Sequence, residues 1–198
     1  MATTPGFSKT TLSREQRKKL IDQRLSILVD VEKSFPNDGF EKKFERLKSL
    51  KEETDTSFQS GNRIEFSKFL QMAEEESANQ LQETSNFLKE KSGNLVEAIA
   101  KQNLDSESLK SKNIPIKERE RFYNNFEMSK KEIREGKKLE TSRNYQLSLI
   151  LFKRSLQYSF ACLEILQEKV PESLEVAQSR WKIVKKATQE IKEEESNP

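Results

Sequence analysis

The side chains that most often transfer protons or acyl groups are thinly represented in this chain. Histidine is absent and cysteine occurs once, as Cys162. That removes Ser-His-Asp and Cys-His arrangements, imidazole zinc sites and the Glu-x-x-His pattern of di-iron bundles. Carboxylates are plentiful, so paired-carboxylate chemistry stays formally open. It needs an acid raised in pKa by apolar surroundings. Glu164, between Leu163 and Ile165, comes nearest, and its expected role is still an exposed position or a pairing with a lysine. Asp22, Asp30 and Glu32 read as surface neighbours of core positions. Glu74, Glu75 and Glu76 occupy successive helical positions about 100° apart and cannot converge on one ion. No metal and no cofactor are expected. The five glycines are isolated, so no phosphate-cradling loop exists. Cys162 lies in an apolar run and is expected to be a buried, inert thiol.

Two basic clusters are the candidates for contact with anions. One comprises Arg14, Arg17, Lys18 and Lys19. Their place at a helix start is unfavourable for the helix dipole. The other comprises Lys130, Lys131, Arg134, Lys137 and Lys138. Against both stands the near balance of 36 basic and 33 acidic residues. A nucleic-acid module carries a stronger basic stripe, and interspersed charge more often means a solvated helix surface, here with pairs such as Lys131–Glu135. Nucleic acid is therefore an unlikely partner.

These side chains must be positioned by helices. Charged residues make up 35% of the chain, hydrophobic residues 33%, and helix breakers are few. Little of the sequence alternates at strand period. The expected fold class is all-α: an irregular antiparallel helical bundle or helical-hairpin stack of about six helices. Ser13 and Gln16 form a capping box opening a helix to about Phe35. Pro36-Asn37-Asp38-Gly39 reads as a turn. A helix of three or four turns follows, with Phe40, Phe44, Leu47 and Leu50 on its inner face. Residues 54–62 read as a loop. Asn62 and Glu65 cap a helix to about Lys91, where Ser92-Gly93 ends it, and Asn94 with Glu97 opens a short one. Residues 105–117 read as a long exposed loop. Gly136 either terminates the next helix or is tolerated inside a longer rod. The domain organisation expected is a disordered lead over 1–12, a single helical domain over 13–194 and a frayed tail over 195–198.

Residues 144–166 are the most apolar stretch, too interrupted by Asn144, Lys153 and Arg154 to span a bilayer. Their wide apolar arc marks the core helix of the fold. Tyr145, Ser148, Phe152 and Ser155 follow the order aromatic, small, aromatic, small. Over these residues the chain resembles the second helix of a tetratricopeptide-type repeat, with serine in place of alanine. The resemblance implies close helix-pair packing and nothing about a ligand.

Pro171 stops the central helix and is placed at the first position of the last. There Leu174, Ala177, Trp181, Val184, Thr188 and Ile191 step at heptad spacing. Trp181 is expected to be mostly buried against its own chain, with self-association through the C-terminal helix as the alternative. The function expected is a non-catalytic protein-interaction or scaffold subunit, part of a larger assembly. Its candidate anchors are Tyr123, Phe126, Phe152, Tyr158 and Trp181. The alternative is a binding module for anionic surfaces, nucleic acid or phospholipid headgroups. The expected location is the cytoplasm, although a mature exported protein would read the same way.

Overall fold

A computed structural model describes residues 12–35, 38–102 and 104–196. Seven α-helices follow in order: α1 (Arg14–Ser34), α2 (Asp38–Gln59), α3 (Arg63–Ala100), α4 (Ser106–Ser111), α5 (Ile116–Thr141), α6 (Tyr145–Leu166) and α7 (Glu175–Ser196), with a 3-10 turn at Glu172–Leu174 before the last. The described residues contain no strand, and the fold is an irregular all-helical bundle.

Local signals set most helix starts. Ser13 accepts from Gln16 N while the Gln16 side chain accepts from Ser13 N, closing the capping box. Asn62 caps α3 and Asp105 caps α4. Asn144 caps α6 by accepting from Leu147 N. Short connections fold α2 against α3 and α5 against α6 as hairpins. Helix α6 is central: α5 and α3 pack along it, and α1 and α7 touch it. Leu149, Phe152, Leu156 and Phe160 of α6 are fully buried. They meet Leu70 and Leu88 of α3, Leu28 of α1 and Phe122 of α5 in one core.

The helix contacts that let α6 take this position are small and polar. Ser85 and Ser148 bond at 2.8 Å between α3 and α6. Ser129 of α5 meets Ser155 at 2.9 Å and Ser159 at 2.8 Å. Each hydroxyl is buried and satisfied, so close approach carries no desolvation penalty. This is the helix-pair packing that the Tyr145–Ser155 pattern implies.

Four expectations change. Helix α2 runs on through the expected 54–62 loop to Gln59. Thr54 and Ser57 are buried there and return their hydroxyls to the carbonyls of Leu50 and Glu53. Helix α3 does not end at Gly93; it spans 38 residues to Ala100, because Leu88, Ser92, Leu95 and Ile99 keep one buried stripe in phase. The Asn94 cap therefore does not exist. Residues 105–117 contain α4, whose Leu109 is fully buried in the core. Asp38 and Gly39 belong to α2 rather than a turn, while Pro36 and Asn37 lie outside the described residues. So do residues 1–11 of the expected lead and 197–198 of the tail; Glu195 and Ser196 close α7.

Candidate functional site

Helix α7 creates the most distinctive surface. Gln167 takes a left-handed conformation at the end of α6, with φ 55°. This reverses the chain, and Pro171 precedes the 3-10 turn instead of opening α7. Leu174 and Ala177 are buried. Trp181 is partly buried: its ring centroid lies 5.9 Å from that of Phe160, and Lys185 Nζ sits 4.9 Å over it. The next heptad position, Val184, is 64% exposed, and off the heptad Ile183 is 69% exposed and Val176 53%. Trp181 is thus mostly buried against its own chain, as expected, whereas the heptad positions Val184 and Thr188 beyond it are exposed; α7 packs on α1, α6 and the preceding turn.

A cleft lies on each side of Trp181. The first, about 350 Å³, is walled by the end of α1 at Lys33 and Phe35, by Lys153 and Gln157 of α6, and by Arg180, Ile183 and Val184 of α7. The second, about 410 Å³, lies among Arg121 and Asn124 of α5, Arg154 and Tyr158 of α6, and Lys185. Six basic side chains and no acidic one line the pair. Their electrostatic states differ. In the second cleft Arg121 pairs with Glu118 at 2.6 Å, Arg154 with the buried Glu132 at 3.0 Å and Lys185 with Glu164 at 2.6 Å. Lys33, Lys153 and Arg180 of the first cleft have no carboxylate at ion-pair distance among the described residues. Arg180 donates to the terminal carbonyls of Glu32 and Lys33 instead. Burial pushes Lys153 below its ordinary pKa, against a smaller upward pull from Asp30.

The other candidate anchors separate. Phe152 is fully buried, its ring against Gly136, and is removed from the set as a core side chain. Tyr123 and Phe126 are half-buried around Phe122 on α5, away from the two clefts. Tyr158 alone joins Trp181, in the second cleft. Sequence reasoning missed Lys33, Lys153, Arg180 and Ile183. The available signal was Ile183 itself, an apolar residue off the heptad of a charged helix.

The basic clusters do not merge. Arg17 pairs with Glu74 of α3, and Lys18 with Asp55 of α2 at 2.6 Å. Desolvation would raise the Asp55 carboxyl, but hydrogen bonds from Lys18 and Lys51 outweigh it and hold the group below its ordinary range. Arg14 lies over the Phe66 ring, and Lys19 is exposed. On α5, Lys130 pairs with Glu127 and Lys138 with Glu135, so Glu135 takes Lys138 rather than Lys131 as its partner. Lys131, Arg134 and Lys137 are exposed.

Among the described residues no three acidic or thiol side chains gather where a metal ion could be held, and no helix is long and apolar enough to cross a membrane. No protein-family model, curated protein or solved structure matches the chain.

Proposed function

We propose that the protein is a non-catalytic interaction subunit that docks another protein surface along α7. One observation carries this reading: Ile183 and Val184 stand exposed beside a partly buried tryptophan, with Val176 exposed on the same helix, whose apolar stripe outruns its own core. Exposed aliphatic side chains around an aromatic anchor, rimmed by cations, have the composition of a protein interface. The clefts supply relief for a partner's side chains, and neither brings an acid and a nucleophile together. The second reading, an anionic surface as partner, draws on Lys131, Arg134 and Lys137 of α5.

A photo-cross-linking residue at position 183, used in the native cell, tests the proposal. Position 64 is the control, because Ile64 is even more exposed, at 84%. Discrete adducts from 183 and none from 64 are expected. No adduct from 183, or the same smear from both positions, would overturn the reading.

A further inference from the structure

We infer that the occupant of this surface is a second copy of the chain, bound through an antiparallel α7–α7 pair about a two-fold axis near residue 185. The inference rests on the docking reading above and names its partner.

Three observations carry it. The first is the outward stripe of α7. Val176, Arg180, Ile183 and Ala187 follow a 4, 3, 4 spacing, with Val184 beside them. All five are exposed. The same spacing continues to Glu190, which is also exposed. A helix of this length is marginal in water unless its apolar face is covered.

The second is the distribution of charge along the helix. Residues 175–186 hold four basic groups and one acidic; residues 187–196 hold one basic and four acidic. Two such helices repel end for end when parallel. Turned antiparallel, each basic half lies along the other's acidic half. In the register that sets position 183 beside 187 of the other copy, position 180 falls beside 190.

The third is the first cleft. Lys33, Lys153 and Arg180 line it with no carboxylate among its walls. The antiparallel arrangement carries the acidic end of a second α7 past its mouth. A two-fold pairing repeats this at both ends, as an isologous interface requires.

The test is sedimentation and light scattering of the full chain across dilution. A dimer of the 23.1 kDa chain is expected at high concentration. Ile183→Asp with Val184→Asp should give a monomer with unchanged helical circular dichroism. Should that variant misfold, Lys182→Glu with Lys186→Glu reverses two of the four basic groups of that half through two exposed side chains. It should weaken dimerisation on the order of tenfold or more. Orientation is read with a spin label at Glu175→Cys. Antiparallel helices separate the labels by about 30 Å, from the helical rise, whereas parallel ones hold them within about 20 Å. A monomer at all concentrations, a dimer indifferent to both variants, or the short distance would each overturn the inference. A monomer that still gives a discrete foreign adduct from position 183 would overturn self-pairing and leave the docking reading standing. A monomer with no adduct would overturn both.

Discussion

The Cys162 thiol is fully buried on α6 and directs its hydrogen toward the Phe122 carbonyl oxygen at 3.7 Å. Burial pushes its pKa from 9.0 up to about 12. Above about pH 9 the unfolded chain has lost this proton and the native chain keeps it. The unfolded state then binds fewer protons, so stability falls as pH rises through the interval between the two values. The slope for one group is about 1.4 kcal/mol per pH unit. Between about pH 8 and about pH 10 the native chain should lose about 1 kcal/mol more than Cys162→Ala, which has no thiol to ionise. Urea unfolding at the two pH values measures the difference, and equal losses would show that the thiol reaches water. The sequence context of Cys162 was enough to anticipate this burial, because Ala161 and Leu163 place it inside a long apolar run. Glu164, its neighbour but one, was equally legible: it is paired with Lys185, one of the two roles expected of it. Phe152 was not, because an aromatic residue on a broad apolar helix gives no sign of which side its neighbours cover.

Among the helices, two glycines show how the same residue type can carry opposite information. A Cβ on Gly93 would meet nothing within 4 Å, whereas one on Gly136 would lie 2.7 Å from Cε1 of Phe152. Both sit inside helices, where alanine is favoured over glycine by about 1 kcal/mol. Gly93→Ala should therefore stabilise the protein by about 0.5–1 kcal/mol. Gly136→Ala should destabilise it by about 1–3 kcal/mol, because the Phe152 ring is fully enclosed and cannot yield without disturbing α6. Thermal or denaturant unfolding of the two variants decides it; a neutral Gly136→Ala would mean that the α5–α6 contact is looser than described. Helix starts at Ser13 and Asn62 could be read because a cap is a local hydrogen bond. Helix ends at residues 54 and 93 were misread because the decisive partners are distant in sequence. Thr54 and Ser57 look like loop residues until their burial on α2 is seen. Gly93 looks like a stop until the stripe from Leu88 to Ile99 is seen to be buried without a break.

Across the described residues, basic and acidic side chains are interspersed, and many of them pair. The excess of basic over acidic groups is small, 36 against 33. Affinity for duplex nucleic acid grows with the number of phosphates neutralised together, since each contact releases condensed counterions. Here Arg17, Lys18, Lys130 and Lys138 already face carboxylates. A phosphate would have to displace those acids and would gain little. The clusters also lie on helices with different neighbours. Helix α1 packs on α2, α3, α6 and α7, whereas α5 packs on α6 and α3. Exposed cations such as Lys131, Arg134 and Lys137 occupy only about two turns of one helix, too few contacts for tight binding against physiological salt. An anisotropy titration of the full chain against a labelled duplex at roughly 0.15 M salt should show no saturable binding in the micromolar range. Vesicles rich in anionic lipid, titrated at the same ionic strength, should give the same result for headgroups. Micromolar binding to either, abolished when Lys130, Lys131, Lys137 and Lys138 are all changed to Gln, would favour α5 over the proposed docking surface on α7. It would also require the α5 ion pairs to open, so the apparent affinity would then fall with salt less steeply than the number of lysines implies.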